Sequence, residues 1–261
     1  MELLNSAAIE QHLSADAKRY FSPIEIFPEL DSTNTYLLNK HETGAVCLAE
    51  QQTAGRGRQG REWISPYARN IYLSVLGEVP NTPSVSGLSL VAGLSVIQAL
   101  NALGVEDLRI KWPNDIVYKE RKLAGILLEV ARHTATTVQV VIGIGINVDM
   151  PQDANINQPW IDVKTLRPQP LSRNEMVGHL LNVLYAQIKA FNTQQLTAVL
   201  QQWPLLDALH DKPVNIQQGA QLLTGVAKGI NAQGMLQLQQ GEKILTIGSG
   251  EVTQLRAQNQ L

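Results

Sequence analysis

Four apolar, β-rich segments follow one another in the middle of the chain, and the connections between them are too short to hold a helix. They are residues 108–111, 116–119, 123–130 and 137–148. Only residues 112–115 and 120–122 join the first three. Parallel neighbours need a crossover of about a dozen residues or more, so these neighbours should be antiparallel. The pattern predicts an antiparallel or mixed sheet and argues against a doubly wound parallel fold.

Apolar residues at helical spacing predict the elements that flank this sheet. Residues 81–105 carry no charge, and serines interrupt the apolar run, so we expect a buried core helix and no membrane span. Further helices are predicted over 174–191 and through 196–200. The short oxygen-bearing side chains of residues 31–33 suit the cap of a helix beginning near 36–38.

The sequence pattern changes beyond Pro204. Between Pro213 and Leu255, short strands alternate with glycines, a pattern typical of a small barrel or sandwich. We predict a domain boundary near Leu209, with one domain over residues 1–209 and a second over 210–261. Together with the central sheet and its helices, this predicts an α+β protein.

Composition narrows the classes of function. The chain has 261 residues, 44% of them apolar and 17% charged, which is enough to bury a core. A net charge of −2 lacks the broad positive field of a nucleic-acid-binding protein, so we do not expect DNA binding. A single cysteine, Cys47, excludes an intramolecular disulfide and fits the cytoplasm. The N-terminus has neither the basic nor the apolar region of a secretory signal.

The run from Gly55 to Arg61 satisfies G-x-G-x-x-G, but its context excludes a dinucleotide fingerprint. Trp63 and Pro66 follow where a helix should open. Arg61 and Glu62 stand where a phosphate loop needs lysine and a hydroxyl. Three arginines between glycines suit a loop that closes around a polyanion through paired hydrogen bonds. The alternative is an ordinary solvated basic turn.

Three further motifs lie on the predicted sheet. Residues 111–115 place a lysine and two short polar side chains around a proline, which presents them at a sheet edge or forms a plain hairpin turn. Lys122 precedes an apolar strand that contains Gly125, a glycine typical of close approach by a ligand or backbone. The alternative for Lys122 is a solvated lysine. Residues 143–147 alternate glycine with isoleucine, so one strand face has room for a flat group.

Taken together and in order, these motifs resemble the biotin protein ligase family, the biotin–[acetyl-CoA-carboxylase] ligases. The matching elements are residues 31–34, Gln52, 55–61 with Trp63, 111–115, 121–125 and 143–147. The resemblance runs from about Leu3 to Arg256. It implies a class II synthetase-like biotin ligase fold, in which helices flank a mixed or antiparallel sheet. A small C-terminal β-barrel of the Src-homology type would follow.

The resemblance also implies an activity and its partners. Biotin and ATP would give biotinyl-adenylate and pyrophosphate, and a lysine of the biotin carboxyl carrier protein would then take the biotinyl group. Magnesium is implied with ATP, and its ligands are not assigned. Relatives can pair through the edge of the catalytic sheet, so a homodimer is left open. The motifs begin at Asp31, so we expect a monofunctional ligase without an N-terminal helix-turn-helix domain.

By the same resemblance, two sets of residues bind the substrates. The biotin set is Ser32, Thr33, Asn34, Gln52, Arg56, Gly57, Arg58, Lys122 and Gly125. The nucleotide set is Lys111, Asn114, Arg58, Arg61, Trp63 and Asn147, with Asp115 on the nucleotide or magnesium side and Arg256 as a further candidate. Lys122 and Arg58 would be catalytic, and Lys122 would bridge the biotin carboxylate and the α-phosphate.

Two alternatives stay open at this point. A lipoate- or octanoyl-transferring enzyme shares the catalytic architecture, although the arginine–glycine run followed by tryptophan favours biotin. A non-enzymatic sensor of biotinyl-adenylate is the second alternative.

Overall fold

A mixed seven-stranded sheet forms the centre of the computed structural model, which describes residues 2–40, 42–194 and 196–254. Its strands are β1 (Ile24–Phe27), β2 (Val46–Ala49), β3 (Ile71–Pro80), β4 (Leu108–Lys111), β5 (Asp115–Tyr118), β6 (Arg121–His133) and β7 (Thr137–Ile146). They lie in the order β1-β2-β3-β7-β6-β5-β4. β1 and β2 are parallel, and the other neighbours are antiparallel. The predicted mixed sheet is confirmed.

Helices cover this sheet. They are α1 (Ser6–Gln11), α2 (Ala15–Tyr20), α3 (Thr33–Leu38), α4 (Leu88–Ala102), α5 (Val163–Leu166), α6 (Arg173–Gln194) and α7 (Thr197–Leu206). α3 begins three residues before the predicted start because Ser32 is its cap, with Oγ accepting from the Thr35 amide at 3.4 Å. α1 and α2 were not predicted from the sequence, and Asn5 and Ser14 cap them in the same way.

α4 is the uncharged helix that the sequence predicts to be buried. Residues Pro83–Ala102 have a mean hydropathy of 1.5 and are long and apolar enough to cross a membrane, yet 67% of that window is buried within the protein. Gly93 lets the helix lie close to the sheet, because a Cβ there would be 3.2 Å from Ile116 Cδ1. α4 also packs along α6. It is therefore a core helix.

The two faces of the sheet have different characters. Ile126 and Ile144 are register partners on β6 and β7, and both join the apolar core with α4. The next register pair, Gly125 and Gly145, points to the opposite face, since side chains alternate along a strand. Gly143 shares that face two residues away. The face beneath α4 is thus packed, and the opposite face, which we call the bare face, lacks side chains at Gly125, Gly143 and Gly145.

A second, antiparallel sheet follows. Its strands are β8 (Pro213–Gln218), β9 (Gln221–Ile230), β10 (Leu236–Gln240), β11 (Lys243–Ile247) and β12 (Glu251–Gln254), in the order β11-β10-β9-β8-β12. The predicted C-terminal β domain is confirmed. Within residues 196–254 no ladder pairs β11 with β12, so strand pairing does not close the predicted barrel. Trp112 Nε1 donates to the Gly234 carbonyl at 3.0 Å and ties the two sheets together. The boundary near Leu209 stays a prediction.

We expect Leu94→Ala to lower the free energy of unfolding by about 2–5 kcal/mol, because Leu94 is fully buried in the core between α4 and the sheet. Urea denaturation checks this value. Leu205→Ala is the matched control, since 78% of Leu205 is exposed, and we expect a change within about 0.5 kcal/mol. Equal losses in both variants would contradict the assignment of α4 to the core.

Candidate active site

A cleft with a cavity volume of about 60 Å³ opens over the bare face of the central sheet. We call it the inner cleft. All nine residues of the predicted biotin set line it: Ser32, Thr33, Asn34, Gln52, Arg56, Gly57, Arg58, Lys122 and Gly125. α3 and its cap Ser32 supply the first three, and β6 carries the last two. The structure therefore brings together residues that lie up to 93 positions apart.

The closed end of the inner cleft is a chain of hydrogen bonds. Thr33 donates to Gln52 Oε1 through its amide at 2.9 Å and its hydroxyl at 3.1 Å. Gln52 Nε2 in turn donates to Ser65 Oγ at 3.3 Å. Ser74, which is fully buried on β3, lies 2.7 Å from Thr33 Oγ1 and 2.6 Å from Asn34 Oδ1. These polar groups hold one another in fixed orientations.

The side-chain amide of Asn34 is fully hydrogen-bonded within the protein. Its Nδ2 donates to the Leu127 carbonyl at 3.3 Å and to Glu129 Oε2 at 2.8 Å, and its Oδ1 faces Ser74. The side chain fills the space above Gly143, where a Cβ would lie 2.1 Å from Asn34 Oδ1. Asn34 therefore supports the wall of the cleft and has no amide hydrogen left for a ligand.

The indole of Trp63 covers the other two glycines. A Cβ on Gly145 would be 2.5 Å from Trp63 Cε2, and one on Gly125 would be 2.9 Å from Cζ3. The room for a flat group that the sequence predicts is thus occupied by the protein's own Trp63 side chain. The buried Trp63 Nε1 has no hydrogen-bond partner among the described residues. This donor is free to meet an acceptor on a ligand.

Residues 55–61, which we call the arginine loop, fold back as a narrow hairpin. The backbones of Arg56 and Glu62 form an antiparallel β-bridge, and Gly57 N donates to the Arg61 carbonyl at 2.6 Å. At its tip, Gln59 and Gly60 take φ values of 56° and 73°, the left-handed region that glycine favours. The motif therefore makes a tight turn and does not open a helix, as its sequence context predicts.

A wider groove continues from the inner cleft, and the two cavities share the lining residues Arg58, Trp63, Asn114 and Lys122. We call it the outer groove. It also holds Lys111, Asp115 and Arg61, together with residues 250–254 of the C-terminal sheet. Five of the six predicted nucleotide residues thus lie there. Arg256 falls outside the described residues.

Several cationic side chains lie close together where the inner cleft meets the outer groove. Lys122 Nζ lies 2.9 Å from Asp115 Oδ1 and 5.2 Å from the centre of the Trp63 ring. Burial lowers the pKa of Lys111, and the nearby Lys122 and Arg61 lower it further against the pull of Asp115. Burial likewise lowers the pKa of Arg58, with Asp115 opposing and Arg61 adding to the shift. An anion placed here would relieve this crowding of positive charge.

Asn147 lies apart from the outer groove. It is buried, and its Nδ2 donates to the carbonyls of Lys122 at 3.4 Å and Ile161 at 3.2 Å. It borders a separate slot, the tryptophan slot, whose walls include Trp63, Ile64, Met150, Ile156 and Trp160. In the structure, Asn147 fixes the backbone around Lys122.

Several residues of the site were not predicted from the sequence. Ser74 and Glu129 each place a polar side chain on the bare face, and strand alternation was the signal that could have found them. Trp160 joins Lys122 through a β-bridge, and Lys122 N donates to the Pro159 carbonyl at 2.9 Å. No sequence motif predicts this contact, which joins residues 38 positions apart in the chain.

Comparison with known families agrees with this architecture and defines its class. Residues 26–147 match the model of the biotin/lipoate A/B protein ligase family. Residues 209–253 match the model of the biotin protein ligase C-terminal domain. The class is therefore that of protein ligases for biotin or lipoate, and the second match favours biotin.

Individual relatives narrow the class. The chain is 37% identical to the bifunctional ligase/repressor BirA of Escherichia coli (strain K12) over 259 residues, which cover 97% of this chain and 78% of that protein. It is 34% identical to the biotin–[acetyl-CoA-carboxylase] ligase of Mycobacterium tuberculosis, covering 89% of each. The biotin protein ligase of Aquifex aeolicus, solved with biotin and ATP, superposes with a TM-score of 0.77 at 27% identity, covering 91% of this chain and 100% of that one. The chain belongs to the biotin protein ligase family.

We expect Gly145→Ala to destabilise the protein by about 1–3 kcal/mol, because the new methyl would collide with the Trp63 indole. Gly77→Ala is the matched control on the same sheet, since its Cβ would meet Ile188 Cδ1 at an ordinary 3.7 Å. Urea unfolding of both variants checks the difference. Equal stability of the two variants would contradict the placement of Trp63 over Gly145.

Proposed function

We propose that this protein is a biotin–[acetyl-CoA-carboxylase] ligase that activates biotin with ATP and transfers it to a lysine of the biotin carboxyl carrier protein. The observation that carries the proposal is the junction of the two cavities. A polar, closed cleft opens directly into a cation-lined groove, and Arg58 and Lys122 belong to both. Such a junction suits a reaction that joins a carboxylate to a phosphate.

Biotin would occupy the inner cleft with its ring system at the closed end. Ser32 Oγ accepts from the Thr35 amide, so its own hydroxyl hydrogen is available to donate. Thr33 and Gln52 hold each other in place beside it. Gly57 allows a close approach of its backbone to the ligand, whereas Trp63 already occupies the space over Gly125. Asn34 would act by supporting these groups.

The first chemical step would take place beside Lys122. An oxygen of the biotin carboxylate attacks the α-phosphorus of ATP, the bond to the β-phosphate breaks, and pyrophosphate leaves. Two anions repel each other in this step, so cations must hold them together. Lys122 would stabilise the charge that develops on the α-phosphate, and Arg58, Arg61 and Lys111 would neutralise the remaining phosphates.

The nucleotide would lie in the outer groove, and the tryptophan slot beside Lys122 suits its base. Trp160 and Trp63 offer flat faces, and Met150 and Ile156 are apolar. Magnesium would enter with ATP as part of the substrate. Among residues 2–40, 42–194 and 196–254 no three metal-ligating side chains cluster. Such a cation would be held mainly by phosphates and water, with Asp115 among the carboxylates that line the outer groove.

In the second step the carrier lysine would attack the acyl carbon of biotinyl-adenylate through its amine nitrogen. AMP would leave, and the nitrogen would lose a proton. The loop that covers the junction would shield the mixed anhydride from water until then. A cytoplasmic location and the absence of DNA binding stay predictions, and a homodimer through the sheet edge is left open, as above.

Mass spectrometry of a carrier domain incubated with the protein, ATP, Mg²⁺ and biotin tests the proposal. We expect one biotinyl group on one lysine, and pyrophosphate release when the carrier is omitted. Parallel reactions with lipoate in place of biotin address the rival acyl ligase. Transfer of lipoate without transfer of biotin would contradict the proposal, and so would ligand binding with no pyrophosphate release.

We expect Lys122→Ala to slow biotinyl-adenylate formation about 10²–10³-fold, the range found when a donor to a developing anion is removed. The fold should survive, because Lys122 lies at the cavity junction. Pyrophosphate release in single-turnover reactions measures the effect. Lys18→Ala on α2 is the control, since it removes a lysine that lines none of the three cavities. A near-normal rate in Lys122→Ala would refute the assigned role.

A further inference from the structure

The segment between the two sheets lies at the edge of the outer groove. It consists of residues 207–212, which join α7 to β8 and which we call the connector. Ala208 lines the outer groove, and its amide donates to the Ile110 carbonyl at 3.0 Å. Ile110 precedes Lys111 on β4. The connector is therefore bonded to the strand that presents a lysine to the groove.

Asp207 is a buried acid at the start of the connector, only 2% exposed. Its Oδ1 accepts from the Leu209 amide at 2.8 Å, and its Oδ2 accepts from Trp203 Nε1 on α7 at 3.0 Å. Burial raises the pKa of Asp207 against the opposing effect of these two hydrogen bonds. One carboxylate thus joins the end of α7 to the backbone of the connector.

The far end of the connector is bonded to the C-terminal sheet. Asp211 N donates to the Ala227 carbonyl at 2.9 Å, and Ala227 N donates to the Lys212 carbonyl at 3.0 Å. β8 begins at the next residue and pairs with all four residues of β12 (Glu251–Gln254), which line the outer groove. The position of the connector therefore sets where this wall of the groove lies.

The inner cleft is built from a different part of the chain. Among the described residues, its lining runs from Ser32 to Gly145, whereas the outer groove takes Ala208 and residues 250–254 from further along. A shift of the connector would displace one wall of the outer groove and leave the inner cleft in place. The bond from Trp112 to the Gly234 carbonyl also ties the two sheets together, so such a shift would be small.

We propose that Asp207 is a positioning residue for the nucleotide. By joining α7 to the connector, it holds Ala208 and the β12 wall in a fixed position relative to Lys111 across the outer groove. Asp207 itself lines a separate cavity behind the connector, so it acts through the connector and not by touching the phosphates. The kinetic consequence of this inference rests on the proposed function, but the structural consequence does not.

Asp207→Asn is the informative substitution. It keeps the shape of the side chain, but one of the two N–H donors then faces an NH₂ group that cannot accept. Trp203→Phe removes one of the same hydrogen bonds from the other side. Asp211→Asn is the matched control on the same connector, because Asp211 is 58% exposed and asparagine tolerates its φ of 56°. Its exposed ion pair with Lys228 contributes little.

Amide hydrogen exchange of the full chain, followed by mass spectrometry, measures the brace directly. We expect exchange in peptides that cover residues 204–212 to be about threefold to tenfold faster in Asp207→Asn, with peptides from β6 and β7 unchanged. Asp211→Asn should exchange like wild type. Wild-type exchange at the connector in Asp207→Asn would overturn the proposal.

Kinetics of pyrophosphate release supply a measurement that a merely structural role would not move. Because only the outer groove is disturbed, KM for ATP should rise about threefold to tenfold in Asp207→Asn, while KM for biotin and kcat stay within about twofold. Trp203→Phe should raise KM for ATP in the same direction, and it decides the question if Asp207→Asn does not fold.

Two kinetic results would overturn the positioning role. One is a wild-type KM for ATP in the folded variant, and the other is an equal rise in KM for ATP and for biotin. If the wild-type protein releases no pyrophosphate from ATP and biotin, the proposed function fails. Hydrogen exchange then still decides whether Asp207 braces the connector.

Discussion

The antiparallel pairing of β6 with β7 determines where every part of the site lies. Its register sets Gly125 opposite Gly145 on one face and Ile126 opposite Ile144 on the other. One face can then bury apolar side chains under α4, while the other lacks side chains at the paired glycines. A slip of one residue would exchange the two faces and bring isoleucines into the cleft. Binding site and core are therefore two consequences of one register.

Charge is arranged around this bare face in matched pairs. Glu129 faces Arg56, Asp115 faces Lys122, and Glu251 faces Arg61. Each pair holds a cation in place without cancelling the overall crowding near Lys111 and Arg58, whose pKa values burial lowers. A site built in this way is preorganised for anions and does not depend on a large net charge, in keeping with a chain whose formal charge is −2.

Much of the fold could be predicted because connection lengths and periodicity are local properties. The brief links at residues 112–115 and 120–122 were enough to predict antiparallel strands. The glycine alternation in β7 predicted a bare face, but could not reveal that Trp63 and Asn34 cover it, since neither lies near β7 in sequence. The partner of each arginine was equally hidden. Identical guanidinium groups take different partners only after the chain has folded.

The contact between Arg58 and the Gly250 carbonyl spans 192 positions of the chain. During synthesis, the arginine loop and the sheet beneath it leave the ribosome long before β12 does. The catalytic sheet can fold first, since domains generally fold as units from the N-terminus. The outer groove gains this wall only after β12 has been synthesised. A nascent chain would therefore carry an unfinished outer groove until β12 leaves the ribosome.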